Sequence, residues 1–419
     1  MIFANTSPAT RRAIVVCALG YFIDVFDIQL FAVLRVPSLT ALGVPADKLA
    51  VVGGYILNAQ MLGMILGAFL WGWLGDRFGR IKALYGSILV YSLGTLACSF
   101  VQDPVSYGVM RFATGFGLAG EVGAALTLIA ELMPPLTRGW GMTVAGAFGL
   151  LGPVGAVLLS WFVEWRTTYI IAGVMGLVLL ILRMRLVEPA LFAKTAAGNS
   201  VRGSLRLLAQ PRQGLAFLYC FMIGMPIIYG WFLLNFFSAE FSHAVLAEGE
   251  LFNQKICLLT FYLGTSCGDM ISGTVSQLWG SRRKALASIL LLGIIAAAVL
   301  VVLGPRVHFT AAFLYALYFI LGIAAGGWLL FVTIAAEHFG TNIRATTAIV
   351  ISNLGRGFSI PMIFAFQGLR ESLSITNAAA VIGLTLYALG FLALRGLRET
   401  HGLDLDYVER LEKPSTQTP

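Results

Sequence analysis

Charge is what this 419-residue chain has least of: 11% of its residues are Asp, Glu, Lys or Arg, against 58% apolar. A water-soluble fold cannot cover its own surface with so little, so the chain needs lipid as solvent. Cysteine is also sparse. The five, at 17, 98, 220, 257 and 267, show no paired ligand spacing and read as small apolar packing residues, not as metal ligands. HExxH, GxSxG and a phosphate-cradling P-loop are missing too, which argues against metalloprotease, serine-hydrolase and nucleotide-driven chemistry. The chain is therefore not expected to be an enzyme or to hold a cofactor or metal.

What it has in abundance is apolar runs of about 20 residues, the length of a membrane-crossing helix. They do not alternate as barrel strands do, so the expected fold is all-α and integral to the membrane. Twelve spans are expected, near 13–34, 50–74, 83–100, 106–132, 140–163 and 168–186, then 214–238, 256–279, 285–303, 310–336, 345–369 and 376–394. This gives an N-terminal six-helix bundle (1–187), a more polar linker (188–213), a C-terminal six-helix bundle (214–394) and a tail (395–419). The net charge of +8 follows from topology: about 20 Lys and Arg fall on one side of the alternating loops and about 6 on the other. That positive-inside bias places both termini in the cytoplasm and removes the need for a nucleic-acid partner. Arg11 and Arg12 precede the first run, but that run carries two aspartates and no small-residue cleavage site, so it is read as a retained span and not a signal peptide.

Internal repetition organises the chain. GWLGDRFGRIK, residues 72–82, has a worn copy in GTVSQLWGSRRK, residues 273–284, and Glu131 with Arg138 recurs as Glu337 with Arg344, in both cases seven apart. The first stretch, with Gly72, Asp76, Arg77, Gly79 and Arg80, resembles the loop signature between spans two and three of the major facilitator superfamily; it departs at Ile81, where a second basic residue is usual. Arg111 with Gly115, Gly117 and Gly120 resembles the span-four signature of the same superfamily, and the run from Glu131 to Arg138 the segment after it. The resemblance covers nearly the whole chain. It implies two pseudo-symmetric six-helix halves rocking about a central site, with Gly72, Asp76, Arg77, Gly79, Arg80, Glu131, Arg138, Glu337 and Arg344 gating the cytoplasmic face, and it favours a monomer.

An ionisable residue deep in hydrocarbon is expensive unless it faces a wet cavity or a partner. At 1.5 Å per residue, Asp24 and Asp27 lie about 18 and 22 Å from Arg12, in the middle or outer half of the membrane. Two carboxylates three residues apart on one helix disfavour joint ionisation. Their stretch, GYFIDVFDIQLF, resembles span one of the proton symporters of aromatic, sialic and related organic acids, with valine at 25 where a glycine is usual. Asp27, Asp24, Glu121 and Asp269 are the expected proton-coupling acids. Arg356, about 18 Å from Arg344, is expected to neutralise Asp269 or Asp27 at rest and to bind an anion when the carboxylate is protonated. Arg111, Asn58, Gln60, Tyr229, Asn235, Asn353 and Trp328 complete the expected solute-binding set.

The expected function is proton-coupled import of a small organic, carboxylate-bearing solute by a multi-pass protein of the bacterial inner membrane, with H+ as coupling ion. An exporter of a drug, metabolite or siderophore is the alternative, because GAFGLLGPVGA at 146–156 partly resembles the glycine-proline signature of antiporters. A non-transporting membrane receptor is the alternative from another class. EPALF at 188–192 and RETHG at 398–402 are similar to motifs of sugar carriers, although the sugar carriers' glutamine pair is absent from the seventh span.

Overall fold

The computed structural model of the chain describes residues 8–78, 80–120, 146, 148–184, 210–340 and 344–402; for 8–14, 72, 75–78, 80–82, 211–212, 344–346 and 348–349 only the backbone is described. The named elements are all helical: α1 (Pro8–Ala41), α2 (Leu49–Phe78), α3 (Arg80–Ala97), α4 (Pro104–Leu118), α5 (Gly152–Phe162) and α6 (Trp165–Met184). After residue 210 follow α7 (Pro211–Tyr229), α8 (Ser238–Val245), α9 (Gln254–Leu278), α10 (Arg282–Ala298), α11 (Ala311–Ala325), α12 (Trp328–Glu337), α13 (Arg344–Gly357), α14 (Ser359–Arg370) and α15 (Ile375–Gly396). Among the described residues, eight helical segments are long and apolar enough to cross a bilayer. The end carrying 72–82 and 281–284 is here the basic end; the other is the far end.

Short polar side chains start the helices. Asp103 accepts the Val105 and Ser106 N–H groups at 2.9 Å to open α4, Asn253 does the same for α9, and Ser281, Thr310 and Ser374 open α10, α11 and α15. Each such cap stabilises its helix by about 1 kcal/mol.

Lipid offers little hydrophobic drive between helices, so close backbone approach has to supply the packing. The tightest crossings are α2 on α4 and α9 on α11. A Cβ on Gly63 or Gly115 would stand 2.1 Å from the Phe112 or Gln60 carbonyl oxygen, and one on Gly264 or Gly322 would stand 2.2 or 2.1 Å from that of Phe319 or Phe261. The same glycine-to-carbonyl device thus recurs about 200 residues on, in register with the loop repeat. Gly152 likewise lets α5 lie against the Phe22 carbonyl of α1, which gives the 146–156 stretch a packing role. Elements before residue 185 meet those after 210 mainly where α2 packs on α13 and α14 and where α5 packs on α9.

Three expectations about the spans need correction. The first helix continues past Leu34 to Ala41, because Arg35, read as a flanking charge, is neutralised inside the protein. The seventh expected span loses its regular winding at a π-helical segment, Gly230–Asn235, four residues after Pro226, whose ring removes a backbone donor. The tenth breaks between Ala325 and Trp328 at Gly326 and Gly327.

Candidate functional site

The two irregular segments lie together, and each supplies walls to one cavity. It is lined by Tyr21, Val25, Ile28 and Gln29 of α1, Leu150, Ile228 of α7, Trp231 and Phe232 of the π segment, Trp328 at the α11–α12 break, and Arg356 of α13. Unwinding at that depth turns side chains and backbone groups toward the space between helices, which a continuous helix cannot do. The Trp231 indole N–H is bound to the Ala325 carbonyl at the break, 3.0 Å away, so its ring is a fixed wall.

Arg356 is buried and sits over the Trp328 ring, 4.7 Å from its centre, and its Nη1 has no hydrogen-bond partner among the described residues. It is within electrostatic reach of Asp24 and of Tyr21. Asp269 on α9 is in reach of the same tyrosine. Its Oδ1 accepts the Leu329 N–H at 3.1 Å, capping the first turn of α12 from another helix, while its buried Oδ2 has no hydrogen-bond partner among the described residues. One guanidinium, in the cavity wall, and two carboxylates therefore act electrostatically on Tyr21.

Asp27 belongs elsewhere. Arg111 of α4 donates through Nη1 to Asp27 Oδ1 at 3.1 Å and through Nη2 to the Asp27 carbonyl at 3.0 Å, and its Nε donates to Gln60 Oε1 at 3.2 Å. Gln60 in turn donates to the Ile28 carbonyl, and the Thr95 hydroxyl donates to Asp27 Oδ2. The expected pairing of Asp27 with Arg356 is thus replaced by a buried network among α1, α2, α3 and α4. The two aspartates of α1 do not share one site: Asp27 is bound to Arg111, while Asp24 is within electrostatic reach of Arg356.

At the far end, Arg35 of α1 grips Glu240 of α8 bidentately, Nη1 to Oε1 at 2.6 Å and Nη2 to Oε2 at 2.8 Å. The guanidinium also lies over the Phe236 and Phe237 rings. Neither residue was among the expected site residues, and the two are 205 positions apart in the sequence. Lys255 of α9 adds a second tie at this end by donating to the Ser160 carbonyl of α5.

At the basic end, Glu337 accepts from Arg282 at 3.2 Å and from the Thr400 hydroxyl at 2.7 Å, so its described partners are the second loop copy and the tail. Glu399, from the RETHG stretch, accepts from the Ser281 hydroxyl and from the Arg282 and Arg283 N–H groups at 2.8 and 3.3 Å. Burial alone would raise its pKa, but these donors outweigh that and hold the carboxyl down at about 2.

The remaining expected residues divide three ways. Trp328 lines the cavity and Asn235 borders the Tyr262 hydroxyl beside it. Tyr229 points away, donating to the Ala379 carbonyl of α15 at 2.9 Å, and Gln60 and Arg111 are engaged in the Asp27 network, so these three do not face the cavity. Asn58 and Asn353 are buried off its walls. Glu121, Glu131, Arg138 and Gly79 lie outside the described residues, as do the side chains of Gly72, Asp76, Arg77, Arg80 and Arg344. Tyr21, Gln29 and Thr95 were not anticipated; the spacing of Tyr21, Val25 and Gln29, four apart, is the signal that could have found the lining face. Among the described residues, no His, Cys, Asp and Glu cluster is arranged to hold a metal ion.

The family model described as Major Facilitator Superfamily matches residues 17–364. The chain is 24% identical to a probable 4-methylmuconolactone transporter of Cupriavidus pinatubonensis, over 99% of this chain and 96% of that one. It is 28% identical to the 3-(3-hydroxy-phenyl)propionate transporter of Escherichia coli, over 72% of this chain and 74% of that one. A solved bacterial homolog to the human lysosomal transporter Spinster, in an inward-facing and unoccupied conformation, superposes with a TM-score of 0.62 at 16% identity, covering 94% of this chain and 98% of that one. At that identity the likeness bears on the fold alone.

Proposed function

The chain belongs to the major facilitator superfamily, and from that premise we propose that it moves a small carboxylate-bearing organic solute inward across the bacterial inner membrane, in symport with a proton. It is a multi-pass membrane transporter and not an enzyme. The observation that carries the solute class is Arg356: a buried guanidinium with an unpartnered Nη1, held over an aromatic ring in the wall of the central cavity. A planar fork of donors in a dry, ring-lined space suits a carboxylate on an organic body. The names of the relatives, transporters of 4-methylmuconolactone and 3-(3-hydroxy-phenyl)propionate, point the same way.

The recurrence of the α2–α4 crossing as α9–α11 supports a monomeric carrier of two six-span halves, 1–187 and 214–394, that alternate access with both termini cytoplasmic. The far end is held by the Arg35–Glu240 pair between α1 and α8, which is what a closed outer gate requires. Asp24, Asp27 and Asp269 are the described carboxyl groups available to carry the proton.

The test is external pH in a suspension of liposomes containing the purified protein, on adding organic acids, amino acids or sugars. Alkalinisation is expected with organic acids, weakened at least tenfold in Arg356→Ala and less in Arg356→Lys, because only arginine offers the bidentate fork. Equal solute affinity in all three proteins refutes the anion site; uptake without alkalinisation refutes proton symport.

A further inference from the structure

We propose that Gln29 sets the specificity of the cavity: its amide nitrogen donates to a second polar group of the solute, so the favoured solute is an organic acid that carries an oxygen acceptor besides its carboxylate. This rests on the reading of Arg356 as the carboxylate site.

Tyr21, Val25, Ile28 and Gln29 share the face of α1 that lines the cavity. Gln29 Oε1 accepts from the Tyr262 hydroxyl of α9 at 3.4 Å, and Asn235 borders that hydroxyl. The amide is thereby turned so that Nε2 is its free end, and Nε2 makes no hydrogen bond among the described residues. Of the other described lining residues, Tyr21 and Trp328 also carry a donor, both at the Arg356 end. Val25, Ile28, Leu150, Ile228 and Phe232 have no polar side-chain atom, and the Trp231 N–H is committed to Ala325.

Arg356 interacts with Tyr21, which marks the anionic end, and Gln29 lies eight residues, about two helical turns, further along α1. A solute with an apolar far end leaves the Gln29 donor buried and unpaired, and sites built to bond a polar group reject such analogues strongly.

The test compares binding of 4-hydroxybenzoate with 4-methylbenzoate, and of 3-hydroxybenzoate with 3-methylbenzoate, to the full-length purified protein by calorimetry. Wild type should favour the better-fitting hydroxy acid at least tenfold over its methyl counterpart. Gln29→Leu should bring the ratio close to one while binding the methyl acid as well as before. Gln29→Glu, which keeps the shape but removes the donor, should lose the preference too, and Tyr262→Phe, which frees the amide to rotate, should reduce it. An unchanged ratio in Gln29→Leu, or no preference in wild type, overturns the assignment while Arg356-dependent binding of the acids stands. Absence of binding by any of these acids to folded protein, or binding indifferent to Arg356→Ala, overturns the carboxylate site and this proposal with it.

Discussion

Replacing Glu240 with Gln tests whether the far end is held shut by one ion pair. Arg35 is 0% exposed and Glu240 18% exposed, joined by two short parallel hydrogen bonds. Removing one partner of a fully buried pair costs about 3–5 kcal/mol, because the other charge stays buried and uncompensated. Glu240 is partly reached by water and Gln retains one acceptor, so about 2–3 kcal/mol is the reasonable figure here. The Phe236 and Phe237 rings keep Arg35 some favourable contact, of about 1 kcal/mol. If opening relieves the penalty by letting Arg35 reach water, the closed-to-open ratio falls by about 10- to 100-fold.

Spin labels at the exposed Thr40 and His243, on α1 and α8, report this opening directly by pulsed dipolar spectroscopy. Wild type should give one short distance; Glu240→Gln should add a longer population; Arg35→Glu with Glu240→Arg should restore the short one. The pH dependence has a definite sign. Burial alone would raise the Glu240 pKa, but Arg35 outweighs it and holds the carboxyl below its ordinary 4.5. The pair's contribution to closure is therefore complete above 4.5 and lost as pH falls through the lower closed-state value. Identical distance distributions in wild type and Glu240→Gln, at pH 7 and in acid, would refute the gate.

Two further perturbations are cheap. Gly264→Ala places a methyl 2.2 Å from the Phe319 carbonyl, a backbone atom that cannot swing aside; separating α9 from α11 should lower stability by about 1–3 kcal/mol, seen as a lower melting temperature in detergent, whereas Gly273→Ala, where nothing lies within 4 Å, should be neutral. Glu399→Gln should loosen the 397–402 segment from Ser281 and Arg282, and because this carboxylate is partly exposed the effect should be a few-fold faster cleavage by added protease, no more. In the wild type the docking should persist above pH 4.5 and fade as pH falls toward 2, since the folded value is the depressed one.

The eight described spans were legible in the sequence because a backbone in lipid must bond to itself, which leaves long apolar runs a single solution. Arg35 shows where that logic stops: its charge looks like a boundary until Glu240 is placed beside it from another helix. The break at Gly326 was hidden for a related reason. Two glycines permit a break, but it is the Asp269 carboxylate of α9 that holds the exposed Leu329 N–H, and no local pattern records that. Depth along a helix could be counted, so Asp24, Asp27, Asp269 and Arg356 could be placed near the midplane. Direction around a helix could not, and so Asp27 was expected to meet Arg356 when Arg111 holds it.

That division of the acids bears on where a proton would ride. Both Asp27 oxygens accept hydrogen bonds, from Arg111 and Thr95, so a proton there would displace a donor and leave Arg111 buried beside a neutral group. Tyr21 lies within electrostatic reach of Arg356, Asp24 and Asp269, one cation against two carboxylates. An anionic solute docked on Arg356 would add a third negative charge to that low-dielectric space, which is strongly unfavourable unless one carboxyl takes up a proton. Solute and proton would then bind together, and Asp269, with a bare Oδ2, can take the proton while Oδ1 keeps the α12 cap. Asp269→Asn should accordingly bind the acid without releasing or taking up protons and lose alkalinisation during uptake, while Asp27→Asn should weaken the α1–α4 packing and retain proton uptake on binding. The reverse outcome, proton uptake lost in Asp27→Asn and kept in Asp269→Asn, would return the coupling role to Asp27 and leave Asp269 as a cap.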